Sequence, residues 1–362
     1  MDVLIIISQT ALYLAISILV GTLILLSVPE SARPNIKVSK NVLLLCAGLI
    51  PLLCFVPVLD IIWFLTPRLG FVQSLSIVLT TNTIGTAWDF TFLLSLVLVA
   101  FVWLGKIEKK PGQPLLGVGI IFGIIFTISL SSHASSIRQG IGILFDFLHL
   151  ASVSIWVGIL FVIGWFSTNR ENWILFLNWF SYVALSCLLT IAFSGLFMMN
   201  IILENYKSSL LSSYSQGLLV KLLFIFPVLL YAFVNRFVIK RKIMVDCSFN
   251  PIPWIRLEGF LLFIIFSITA FFTQQDPPHR DFLTEEAVSS LFRLIHGDFV
   301  IKDATISFSF SVSTFCFFLL SILFFALLIA TFLKKIPIFS FLFCCLFVLS
   351  TFFMILTSVV VG

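Results

Sequence analysis

The chain has 362 residues, 60% of them hydrophobic and only 10% charged, with a formal net charge of +5 and a mean hydropathy of +1.18. A soluble domain carries about a quarter charged residues, so this composition excludes an ordinary soluble protein and predicts an integral membrane protein. Apolar runs of helical length recur from end to end without strand-like alternation, which predicts an all-α polytopic transmembrane bundle of about 8–10 spanning helices.

In chain order the spans are expected at 3–28, 41–65, 86–104, 115–132, 141–166, 177–201, 217–238, 255–273, 308–333 and 337–360. Met1 to Val28 lacks a basic leading region and carries Asp2, so it reads as a first membrane helix and not as a cleaved signal peptide. Phe71 to Gly85 is only moderately apolar and reads as a short re-entrant or interfacial helix. The longest hydrophilic stretch, Gln274 to Ser307, is too short to bury a core of its own. Glu285, Glu286, Arg293 and His296 within it suggest a short amphipathic helix.

Charge sets the orientation. Arg33, Lys37, Lys40, Lys106, Lys109, Lys110, Arg170, Arg236, Lys240, Arg241, Lys242, Arg256, Lys334 and Lys335 all fall on one side of these spans, fourteen of the twenty-one basic residues. By the positive-inside rule that side is cytoplasmic, and both termini face outward. All four histidines then lie on the outer side. His133 ends the fourth helix at its outer mouth, and His149 lies roughly 12 Å deep in the fifth at 1.5 Å per residue. Met198 and Met199 sit at the outer end of the sixth helix. His279 follows the Pro277-Pro278 pair, and His296 shares its loop.

Asp146 and His149 are three residues apart and share a helix face, with Trp156 two turns along the same stripe. Burying a carboxylate in hydrocarbon costs at least about 2.5 kcal/mol unless it is paired or bound, so intramembrane ionisable groups read as functional. Imidazole and thioether suit copper, Cu(I) through soft sulfur and imidazole, Cu(II) through imidazole and carboxylate. His133, His149, Met198 and Met199 are candidate donors, with Asp146 fixing the tautomer of His149. The bland reading is an Asp–His hydrogen bond tying helices, methionines and Trp156 that only pack, and solvated loop histidines. Lys221 is expected to snorkel outward, Asp60 and Asp89 to be solvated near helix ends, and Glu258 to pair with Arg256 or Arg236. Seven scattered cysteines show no CxxC or zinc spacing, and no disulfide is expected.

The motifs resemble a known family. Ser132-His133-Ala134 followed by Asp146-Phe-Leu-His149 and Trp156-Val-Gly158 is similar to the core of the copper-resistance protein D (CopD) family, in particular to the membrane module of Bacillus-type copper importers fused to a CopC-type domain. Thr83-Ile-Gly85-Thr-Ala-Trp88, Phe180-Ser181, Ser194-Gly195, Tyr214-Ser-Gln-Gly217-Leu-Leu-Val-Lys221, Asn235-Arg236, Arg256-Leu-Glu258 and Pro277-Pro278 extend the likeness over about 80–278. The chain then divides into N-terminal membrane helices (1–79), a CopD-like core (80–278), an extracytoplasmic loop (279–307) and C-terminal membrane helices (308–362). Gln216 occupies a place where the family is expected to vary, and Asp89 stands near a position often basic in it.

The resemblance implies copper handling in a bacterial cytoplasmic membrane, most plausibly uptake of Cu(I) or Cu(II) at His133, His149, Asp146, Met198, Met199 and His279. A separate CopC-like donor is expected, since no hydrophilic stretch has the length of such a domain. Nothing resembles a nucleotide site, a catalytic constellation or a nucleic-acid surface, so a non-enzymatic transporter not driven by ATP is expected. The rivals are a copper-efflux or resistance component, a structural subunit, and a haem-binding electron-transfer bundle. The last needs axial histidines at matching depth, against the roughly 12 Å offset between His133 and His149.

Overall fold

A computed structural model describes every residue except 1, 106, 108–111, 170, 204–209, 246–249, 276–287, 298–305, 335 and 362. The chain is helical nearly throughout. Its helices are α1 (Asp2–Ser27), α2 (Lys40–Leu69), α3 (Phe71–Thr81), α4 (Thr83–Leu104), α5 (Gln113–Ser129), α6 (His133–Ile137) and α7 (Gln139–Phe166). There follow α8 (Trp173–Ile202), α9 (Ser213–Phe233), a π-helical turn (Val234–Ile239), α10 (Lys240–Val245), α11 (Ile252–Phe272), α12 (Ser290–His296), α13 (Val312–Lys334) and α14 (Pro337–Ser358). One short antiparallel pair, β1 (Ile306–Phe308) with β2 (Val359–Val361), joins Ser307 to Val360 in register.

Among the described residues nine helices are long and apolar enough to cross a membrane. The expected fourth span is the 17-residue α5, about 25 Å at 1.5 Å per residue, at the short end of what a bilayer core requires. Phe71 to Gly85 is not one element: α3 ends at Thr81, and Asn82 starts α4 by accepting the Ile84 N–H on its side chain at 2.9 Å. His133 does not end the fourth helix. Ser132 caps a separate short helix, α6, through the Ser135 N–H at 3.2 Å.

The described residues form two compact units, 1–201 with 236–259, and 202–235 with 260–362. In the first, α1 is the core helix, packed on α2, α5 and α7 and burying Leu12, Ile16, Leu19 and Leu23. It crosses α7 at small residues: a Cβ on Gly158 would lie 2.1 Å from the Ser17 carbonyl oxygen, and one on Gly21 the same distance from the Gly158 carbonyl carbon. Such residues let membrane helices approach backbone to backbone where hydrophobicity supplies no drive to associate. Trp88 ties α4 to α2, its indole N–H donating to the Pro51 carbonyl at 2.8 Å.

At the far end of α1 and α7 their loops interlock. Lys37 N–H donates to the Phe166 carbonyl, Thr168 N–H to that of Asn35, Asn172 Nδ2 to that of Glu30 and Trp179 Nε1 to that of Ala32, all at 2.8–2.9 Å. Arg33 is buried there, its Nε donating to the Val28 carbonyl at 3.0 Å. That burial holds its guanidinium below the ordinary value, with Glu30 acting against the shift.

In the second unit α13 and α14 form an antiparallel hairpin laced by Ser321–Ser350 at 3.1 Å and Thr314–Thr357 at 3.2 Å. Tyr231 of α9 joins Ser340 of α14 by a hydrogen bond between their hydroxyls. α12 docks through Ser289, whose hydroxyl donates to Gln216 at 2.8 Å, and through His296, whose Nε2 lies 3.0 Å from the Leu356 carbonyl.

Candidate metal centre

The candidate site is built on the N-terminal half of α7. The chain turns from α6 into α7 so tightly that a Cβ on Gly142 would lie 2.1 Å from the Ala134 carbonyl oxygen. Glycine is therefore required at 142, and α6 lies on the first turns of α7. Asp146 and His149 follow at four and seven residues, on the face that Gly142 presents to α6. Trp156 continues the stripe and is 6% exposed.

His149 reaches α8. Its Nδ1 is 3.1 Å from the Ser194 hydroxyl, and a Cβ on Gly195 would stand 3.5 Å from its Cε1, an ordinary contact distance, so the ring lies beside the 194–195 stretch of α8. Ser194 is fully buried and donates its own proton to the Thr190 carbonyl at 2.6 Å. One turn toward the N-terminus of α7, Phe145 stacks on Phe197 at 4.4 Å and meets Phe193 edge-on at 5.8 Å, an aromatic wall beside the imidazole. Asp146 is half-buried and within Coulombic reach of Tyr13 on α1, which is in turn within reach of Cys54 on α2.

The other expected donors are placed as follows. Met198 is half-buried four residues beyond Ser194 on the same face of α8, while Met199 is turned about 100° away from that face. His133 is exposed on α6, whose next residue abuts Gly142, about 10 Å along α7 from His149. His279 lies outside the described residues. His296 stacks on Phe292 at 4.2 Å and ties α12 to α14. Among the described residues no three His, Cys, Asp or Glu side chains converge as a metal-holding group.

Several of the remaining motif residues make packing contacts. Tyr214, Gly217 and Lys221 share one face of α9 and all meet Phe272: Tyr214 edge-on at 5.2 Å, Gly217 so close that a Cβ would lie 2.4 Å from that of Phe272, and Lys221 over the ring at 5.5 Å. Glu258 is buried. Of the two arginines expected near it, Arg256 donates from Nε to the Gly164 carbonyl at 2.7 Å, and Arg236 lies over the Tyr182 ring at 5.8 Å. Ser194 and Tyr13 are the polar neighbours that sequence reasoning missed. Ser194-Gly195 stood out as a motif, but only the α7–α8 packing reveals that it faces His149.

Residues 174–272 match the family described as Copper resistance protein D. That stretch contains Ser194, Met198 and Met199 and ends on Phe272, whereas His133, Asp146 and His149 precede it. The copper transport protein CutJ of Bacillus subtilis (strain 168) is 35% identical over 134 residues, covering 33% of this chain and 24% of that protein. The chain thus spans about a quarter of the length of the curated relative it matches. No solved structure matches it. Over residues 174–272, this polytopic helical membrane protein is thus similar to the copper resistance protein D family.

Proposed function

We propose that this protein carries copper inward across the cytoplasmic membrane through a site at the N-terminal half of α7. His149 supplies the principal donor nitrogen, Asp146 balances the charge, and Met198 offers a thioether one turn along α8. The observation that carries the reading is an imidazole seated between two membrane-spanning helices, with a carboxylate one turn away. Polar groups at that depth are costly to keep, and copper accepts this donor chemistry. The family match and the likeness to a copper transport protein support copper as the cargo.

The distribution of basic residues supports an outward-facing N-terminus of α7 and hence uptake. His133, exposed on α6, is the first donor an arriving ion meets, with Met199 as a further donor; His279, outside the described residues, is a candidate from the sequence alone. A separate copper-binding chain on the outer side delivers the ion. Transport runs down the copper gradient or is coupled to protons through Asp146 and His149. The test is copper accumulation in cells grown at limiting copper. His149→Ala should bring it down to the level of cells lacking the protein, and unchanged accumulation would sink the proposal.

A further inference from the structure

We infer that Ser194 is a positioning residue for His149, selecting Nε2 as the nitrogen that meets the metal. This rests on the reading of His149 as a copper donor. A serine hydroxyl has one proton, and here it is directed to the Thr190 carbonyl at 2.6 Å. At 3.1 Å from His149 Nδ1, the Ser194 oxygen can therefore only accept, and Nδ1 is the protonated nitrogen. In the neutral ring the basic lone pair then belongs to Nε2. The same bond fixes the ring's rotation, with the Gly195 position of α8 beside the ring at ordinary contact distance. Ligand histidines are commonly oriented by a carboxylate or carbonyl on their other nitrogen. Here a hydroxyl does so, itself aligned by a helix carbonyl one turn back.

The test uses the full-length protein in detergent micelles with 15N-labelled histidine, the His149 signals being identified by their loss in His149→Ala. Metal-free wild type should show a protonated Nδ1 and an unprotonated Nε2. Ser194→Ala should move population toward the Nε2–H tautomer and weaken copper binding by about 10- to 100-fold. Ser194→Thr, which keeps a hydroxyl able to bond the Thr190 carbonyl, should restore both. A wild-type ring protonated at Nε2, or Ser194→Ala with unchanged nitrogen signals and copper affinity, would overturn the inference. If His149→Ala itself retains wild-type copper binding, the proposed function fails instead, and the nitrogen signals still decide whether Ser194 sets the tautomer.

Discussion

Gly142 and Gly140 stand two residues apart in α7, yet they answer to different constraints. A methyl at 142 would sit on the Ala134 carbonyl, so Gly142→Ala must push α6 off α7, a displacement of the kind that costs about 1–3 kcal/mol. Nothing lies within 4 Å of a Cβ at 140, where alanine should be neutral or stabilising. Thermal unfolding in micelles should therefore fall for Gly142→Ala and hold or rise for Gly140→Ala; equal midpoints would refute the close approach. Asp146 and His149 were legible because three-residue spacing and the cost of burial are both written in the sequence. Ser194 was not, since which of the many intramembrane serines faces a histidine depends on how α8 is rotated against α7.

At the level of whole helices, hydropathy located the spans well but misplaced their ends, and the reason is capping. α9 begins at Ser213, ahead of the expected 217, because the Ser212 hydroxyl accepts the Ser215 N–H at 3.3 Å and lets polar residues enter the helix. α13 begins at Val312, after the expected 308, since residues 306–308 pair with 359–361 and Ser311 caps at 3.2 Å. The start of α8 carries a sharper test. Asn172 has φ 57° and donates to the Glu30 carbonyl at 2.9 Å. Asn172→Ala loses that bond, worth about 1 kcal/mol, and forces a Cβ residue into the left-handed region at about 1–2 kcal/mol more. Asn172→Gly loses only the bond, so alanine should unfold at the lower temperature of the two.

For the molecule as a whole, the orientation can be read with a membrane-impermeant thiol reagent. Leu294 on α12 and Glu30 between α1 and α2 are both more than 80% exposed and fall on opposite sides of the expected topology. Leu294→Cys should label in intact cells and Glu30→Cys only after permeabilisation; the reverse pattern would turn the proposed uptake into export. The basic loops are what suggest this orientation in the sequence. The division into two units was not, because it runs through the π-helical turn after α9 and through the middle of α11, where the composition does not change.

The crossing of α1 and α7 bears on how an ion could travel. Ser17, Gly21 and Gly158 bring main chain against main chain nine residues beyond His149, about 13 Å farther along α7. That seam leaves no room for a side chain between the two helices. On the proposed reading, an ion released from the imidazole cannot slip between these two helices while they touch. Under that reading, inward passage must either skirt the seam or part the two helices. A carrier that rocks open fits this seam better than a pore that stands open.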